Sequence, residues 1–449
     1  MRSVRCTYRT AVFSLLAFTL IVRGSALLVN PDQLRQDPDA YKLIAETLST
    51  TGVFGLPSPS DEAANPTAKA TAFRPPLYPY VLSWLVTDQG LHLGLVGLLH
   101  VVLGSVTVAC TLSISQTLID GGRIGLVSIV AAGLVAVDPI LLQQSSLVMT
   151  ETLAVALASG VIWLWASKLV PFPSIGWAIL LGLLLALAYL CRPTFLVWAV
   201  LLIPCLLWST RTSFRHRMLM PLAAGAVVAV TVGAWTARNV RAVGHPVWAT
   251  THGGYTLLLA NNPSFYEYLR DGSFTQAWDA SPFLAAYDHR FEGDPNRLEF
   301  WQQDWADRPV AIKTPSSMTE HGEDQVAYEA AMATIKRQPR MFVWSCVVRL
   351  ARLWTPMPHS TPARSWLPIV AVTTYYGVLS IAFVVGLGRI GRQVFDARWW
   401  AILTLFLTLS AVHAVYWTNM RMRSPATAGL AVIAARGLIR HRSEPNPTP

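Results

Sequence analysis

The run LVMTETLAVALASGVIWLWA, residues 147–166, decides the fold class. As a helix rising 1.5 Å per residue it reaches roughly 30 Å, the thickness of a hydrocarbon core. Its single acid, Glu151, lies near its start. Working outward, comparable apolar runs precede it from Ala11 to Asn30, Leu91 to Thr117 and Ile124 to Gln143. Others follow from Ile175 to Leu190, Phe195 to Trp208, Met218 to Ala237, Trp366 to Leu387, Trp399 to Trp417 and Pro425 to Leu438. By length and polarity these make roughly ten crossings. Over the 449 residues, 53% are apolar and 13% charged, and the mean hydropathy is +0.41. That balance excludes an ordinary soluble enzyme. The first run follows Arg2, Arg5 and Arg9, as a cleaved signal peptide would, but it is long and lacks a clean small-residue cleavage pattern.

The net charge of +10 marks topology rather than a nucleic-acid partner. Short loops rich in Lys and Arg stay in the cytoplasm. With the N-terminus inside, alternation also places inside Arg123, Lys168, the Arg211, Arg215, Arg217 group, the Arg389, Arg392, Arg398 group, and Arg436, Arg440 and Arg442. The chain therefore reads as an N-terminal transmembrane core, 1–237, with a first external loop, 31–90. An extracytoplasmic domain, 238–365, and C-terminal helices with a proline-rich tail, 366–449, complete it. Within the external domain, 341–354 reads as an amphipathic helix in the interface plane, its apolar residues set against Arg340, Arg349 and Arg352. Asn65 and Asn262 are each followed by proline, so neither is a glycosylation acceptor, and a bacterial cell membrane is favoured. The five cysteines, Cys6, Cys110, Cys191, Cys205 and Cys346, have neither metal-ligand nor disulfide-scaffold spacing.

Alternation also leaves Arg74, Arg192, Arg238, Arg241, Arg421 and Arg423 near the outer membrane face, where the charge bias disfavours them. A planar guanidinium suits phosphate oxygens, although any one arginine could instead snorkel or pair with an acid. Asp37 and Asp39 follow the first crossing, and Asp39 is placed to cap a helix from Ala40 to Leu48. Glu151 is costly inside a bilayer unless it lines a polar cavity or sits in a helix's first turn, capped by Ser145 or Ser146. The prolines of FRPPLYP, 73–79, predict a rigid loop holding Arg74 and Tyr78 at the interface. After the seventh crossing, Asn239, Asn261 and Asn262 offer amides for sugar hydroxyls, while His245 and His252 read as solvated or hydrogen-bonding.

In this order, the motifs resemble those of the GT-C membrane glycosyltransferases, in the branch of protein mannosyltransferases and aminoarabinose transferases. The resemblance covers most of the chain. It rests on Asp37 and Tyr41, the 74–79 loop, Thr150 and Glu151, Arg192 and Pro193, and Trp235, Arg238 and Asn239. Arg352 to Pro356, and Arg421, Arg423 and Pro425, complete it. It implies an all-α polytopic membrane protein with a small mixed extracytoplasmic domain. It implies transfer of a sugar from a polyprenyl phosphate to an extracytoplasmic lipid, polysaccharide or protein. Distance to Tyr41 assigns the family's first-loop base to Asp37, but Pro38 and Asp39 depart from the common pattern, leaving Asp39 as the other choice. Arg74, Arg192, Arg238, Arg421 and Arg423 become the phosphate-binding set. Tyr41, Tyr78 and the three asparagines become substrate contacts. Glu151 orients the acceptor or shares a divalent ion with Asp37; two oxygen donors are too few to assign a metal. A flippase of lipid-linked saccharides would need similar residues, but should show repeated halves, which the sequence lacks. A non-catalytic scaffold of envelope enzymes is the third class.

Overall fold

The computed structural model describes residues 2–29, 31–57, 68–209, 212–271, 277–281, 283–284, 319–358 and 366–439, without the side chains of 2–9 and 11. Asn65, Arg211, Arg440, Arg442 and the proline-rich tail lie outside these residues. The architecture is an all-α membrane bundle. Helix α1 (Arg2–Val29) leads into a long first loop holding α2 (Tyr41–Thr51), α3 (Leu77–Ser83) and two short antiparallel strand pairs, 55–57 with 68–70 and 86–87 with 90–91. Then come α4 (Leu93–Leu118), α5 (Leu126–Ala136), α6 (Pro139–Ser145), α7 (Glu151–Leu164), α8 (Ile175–Cys191), α9 (Thr194–Leu202), α10 (Leu206–Ser209) and α11 (Phe214–Val243). Helices α12 (Gly253–Ala260), α13 (Pro263–Arg270), α14 (Glu320–Arg337) and α15 (Pro339–Trp354) precede α16 (Trp366–Ile390), α17 (Trp400–Val415) and α18 (Thr427–Leu438).

Each apolar run of the sequence is helical. Among the described residues, 6 helices are long and apolar enough to cross a membrane, and up to 7 if the bent pair α5–α6 is one span. Ile175–Cys191 and Thr194–Ser209 are shorter apolar helices, and α18 has 12 residues. The α5–α6 bend of 47° has a local cause: Asp138 breaks the run by capping Leu141 N at 3.0 Å, with Pro139 at the first helical position. Elsewhere α16 and α18 pack backbone to backbone at Gly386 and Gly437, where a Cβ would overlap the facing carbonyl.

The strands of the described residues belong to the first loop, whereas the described part of 238–365 holds helices and their connections. In α15 the amphipathic pattern is turned outside in. Arg349 and Arg352 are buried, while Val343, Trp344 and Val347 are exposed. Arg349 donates to the carbonyls of Ala414 and Ala260 at 2.7 and 2.6 Å, so the arginine face holds α15 to the bundle and its apolar face points outward.

Candidate active site

The first loop turns at Ala40, the one non-glycine residue with positive φ (59°) among those described. This turn separates the two candidate acids. Asp37, not Asp39, caps α2, accepting from Lys42 N at 3.1 Å and Leu43 N at 2.9 Å. Asp39 is turned toward Arg74, whose Nη2 lies 2.7 Å from its Oδ1 and whose Nε donates to its main-chain oxygen at 2.8 Å. Arg74 also lies over the rings of Phe73 and Tyr41, at 4.4 and 5.6 Å. The proline segment is a non-helical loop as expected up to Pro76, but Tyr78 sits in the first turn of α3. Pro79 is tolerated there because first-turn amides have no intrahelical partner.

Tyr41 and Tyr78 are buried, ring edge to ring face, 5.5 Å apart. Burial pushes the Tyr41 phenol up to about 12, with Asp39 and Glu151 adding to it and Arg74 and Arg192 opposing it. Burial also raises Tyr78 well above the usual phenol range, with Tyr41, Glu151, Cys191 and Asp37 acting on it. Tyr78 thus stands within electrostatic reach of both Asp37 and Glu151. Its hydroxyl bonds His100 Nε2 at 2.8 Å, and His100 Nδ1 bonds the Ser145 carbonyl at 2.8 Å. A carbonyl only accepts, so His100 carries its proton on Nδ1 and Tyr78 donates to Nε2.

Glu151 opens α7 and is completely buried. Ser145 and Ser146 belong to the end of α6 and do not cap it; the N-cap is Thr150, without a side-chain cap bond. Its partners are Arg192 Nη2 at 2.8 Å and Arg421 Nε at 3.6 Å from Oε1. The donors are not aligned, and neither oxygen of Glu151 completes a hydrogen bond among the described residues. Arg192 is fixed instead through Nε to Thr150 Oγ1 at 3.0 Å, and Arg421 through Nη1 to Met149 Sδ at 3.1 Å. Two guanidinium groups therefore face one carboxylate. A cavity of about 550 Å³ reaches Arg421 between Gln143, Gln144, Leu147, Ile369 and Val372.

Other sequence-predicted residues are engaged elsewhere. Arg238 donates to the carbonyls of Thr71 (2.6 Å) and Phe54 (2.7 Å), tying α11 to the first loop. Asn239 donates to Val247 O at 2.7 Å. Asn261 bridges Leu257 O, Val415 O, Tyr266 and Arg349, and Asn262 caps α13 through Phe265 N. All three amides are buried and hydrogen-bonded to the protein's own groups. Arg423 donates to Leu353 O and Thr355 O at 3.2 and 2.6 Å. It departs from Arg421 because both lie in a 3-10 helix, Met420–Ala426, where residues two apart point about 120° away from each other.

Sequence reasoning passed over Arg23, His100, Asp138 and His413, all buried. His413 lies within reach of Arg192 with Nδ1 unpartnered among the described residues. Each is an ionisable residue inside an apolar run, the signal that had singled out Glu151. No three His, Cys, Asp or Glu side chains among the described residues are grouped to hold a metal ion.

No protein-family model and no curated protein matches the chain. Solved structures do. The oligosaccharyltransferase AglB of Archaeoglobus fulgidus matches in its apo form with a TM-score of 0.51 at 13% identity, over 95% of this chain and 50% of that one. Its complex with an inhibitory peptide and a dolichol-phosphate gives 0.50 at 12%, with the same coverage. The ArnT of Cupriavidus metallidurans bound to undecaprenyl phosphate gives 0.39 at 14%, over 95% and 78%. The chain spans half the length of the AglB chain it matches, and what it shares with that chain is the fold: this is a multi-pass membrane protein of GT-C-like architecture.

Proposed function

We propose that the chain is a membrane glycosyltransferase that moves a sugar from a polyprenyl phosphate to an acceptor at the extracytoplasmic face. The observation that carries this reading is the meeting of Asp37, Asp39, Arg74, Tyr41 and Tyr78 from the first loop with Glu151, Arg192 and Arg421 from the helix ends. The guanidinium in excess over Glu151 matches the single charge of a sugar phosphodiester, and low dielectric strengthens that contact.

The base is Asp37. Asp39 is neutralised by Arg74, whereas Asp37 has no ion pair among the described residues. The amides of Lys42 and Leu43 fix its orientation, and each of its oxygens keeps a lone pair. It takes the proton of an acceptor hydroxyl as that oxygen attacks the anomeric carbon. The carbon–phosphate oxygen bond breaks on the opposite face, its electron pair leaves with the lipid phosphate beside Arg192 and Arg421, and the configuration inverts. Asp39 holds Arg74, and Glu151 holds the two guanidinium groups apart and orients them.

The test is transfer in proteoliposomes from a radiolabelled polyprenyl phosphate sugar, with lipid extracts of cells lacking the gene supplying donor and acceptor. A new glycosidic product that disappears with Asp37→Asn supports the reading. Movement of lipid-linked sugar between leaflets without product would establish the flippase instead, and normal turnover by a folded Asp37→Asn protein would remove Asp37 as the base.

A further inference from the structure

Behind Arg421 lies a second buried charge cluster that the proposed transfer does not use. Arg23, in the apolar part of α1, is 2% exposed and donates to Ser145 Oγ at 2.8 Å. Asp138 is 1% exposed and accepts from Tyr376 at 2.7 Å. Arg423 is 4% exposed and lies 4.4 Å from the Tyr376 ring centroid. Asp138 is within electrostatic reach of both arginines, so two buried cations again share one anion. Arg423 Nε and Nη2 have no partner among the described residues. Buried guanidinium donors left unpaired are costly, and such a group in a native fold calls for a ligand.

Arg423 stands in the wall of a cavity of about 320 Å³ between α15, α16, α17 and α18. Of its polar residues, Arg423, Tyr376 and Ser410 stand toward one end, and Ser380 lies about a turn of α16 further along. Phe383, Val384 and Phe406 line it deeper. From Tyr376 to Val384 the helix descends about 12 Å, a little over two turns. Val384 is 68% exposed on the apolar outer surface of α16, so the cavity opens sideways toward lipid. A charged head at one end, an apolar wall below it and a lateral mouth are the shape of one lipid chain with its phosphate.

We propose that this cavity binds an anionic glycerophospholipid from the surrounding leaflet, its phosphodiester on Arg423 and one acyl chain against Phe383, Val384 and Phe406, separately from the Glu151 site. The bound lipid neutralises the excess cation and braces the C-terminal helices that carry Arg421.

Native mass spectrometry of the full-length protein, delipidated and then given phosphatidylglycerol or phosphatidylcholine, tests this. The expected result is one phosphatidylglycerol retained at least tenfold more tightly than phosphatidylcholine. Arg423→Gln should lose it. Ser380→Trp, which blocks the mouth from the exposed outer face of α16 and leaves Arg423 and its carbonyls in place, should lose it too, so the test does not depend on the fold of the arginine variant. The double variant Glu151→Gln, Arg421→Gln should keep it. Equal retention of the two lipids, retention unaffected by Ser380→Trp, loss in the double variant, or equal protection of the protein by inorganic phosphate alone would each overturn the proposal.

Discussion

Replacing Glu151 by Gln removes the one charge that lies between Arg192 and Arg421 while keeping the side chain's shape. At an effective dielectric constant near 20, unit charges separated as Oε1 is from Arg192 Nη2 (2.8 Å) and Arg421 Nε (3.6 Å) attract by about 6 and about 5 kcal/mol. Desolvation of a wholly buried carboxylate offsets much of that, and the 32% exposure of the Arg421 side chain screens its share. Breaking a buried pair by removing one partner costs about 3–5 kcal/mol, and the lower end applies here because Arg421 can turn toward water. On the unfolding entropy typical of globular chains this lowers the melting temperature by about 3 °C. The same change leaves two guanidinium groups uncompensated, so added anion should restore more stability to the variant than to the parent. The assay is thermal unfolding followed by tryptophan fluorescence at fixed scan rate in one detergent, with inorganic pyrophosphate titrated against chloride of equal ionic strength. Arg421→Gln in the Glu151→Gln background should recover part of the loss, as a coupled pair requires. Unchanged melting, or identical recovery by pyrophosphate in both proteins, would show that Glu151 is not the counter-charge of an anion site.

Three further outcomes follow from the geometry around that cluster. Asp39→Asn frees Arg74 from a charge-assisted bond, and the expected effect is a donor KM raised about tenfold with kcat largely kept, the bond being worth about 1.5–3 kcal/mol; an unchanged KM in steady-state transfer assays refutes the positioning role. Ala40→Gly relieves a left-handed residue costing about 1–2 kcal/mol, so melting should rise by a degree or two while turnover falls, because the turn that separates Asp37 from Asp39 loosens; a fall in melting temperature contradicts this. In the pocket of Phe73, His252, Glu320, Glu323 and Asp324, burial, reinforced by Glu320, raises Asp324 to about 6, and burial with Arg74 lowers His252 to about 3. Stability from Asp324 is present below about pH 4 and lost as pH rises through about 6, whereas stability from His252 is lost as pH falls below about 6.5. The two slopes oppose each other, so wild-type melting should be nearly flat from pH 4 to 6. Asp324→Asn should melt higher as pH rises over that window, and a flat variant profile would show that these groups do not titrate as placed.

The helical membrane fold was legible because burial against lipid needs only length and polarity, and each apolar run from Ala11 to Leu438 is a helix. The number of full crossings was less legible, since Asp138 and Pro139 bend one run and the last run makes a short helix. Within the site, Glu151, Arg192 and Arg74 could be read singly because topology or burial made each of them costly, whereas Tyr41 entered only through the resemblance. What a linear pattern could not supply is direction. Arg421 and Arg423 carry the same side chain two residues apart, and both had been placed on the donor phosphate. A helix with three residues per turn sends one to Glu151 and the other to the carbonyls of Leu353 and Thr355. Direction likewise separates Asp37, which caps a helix, from Asp39, which holds Arg74, through the backbone sign at Ala40. Arg238 and the three asparagines show the same limit from the other side: a polar residue beside a membrane end is as often needed by the protein's own carbonyls and amides as by a substrate, since each buried main-chain group there lacks water. What an arginine can hold is decided by where its donors go, not by its place beside a membrane end. Among the described residues Arg421 Nε faces Glu151 at 3.6 Å without completing a hydrogen bond, and Arg423 Nε and Nη2 complete none, whereas Arg238 is spent on the carbonyls of Thr71 and Phe54; Arg421 and Arg423 line two different cavities.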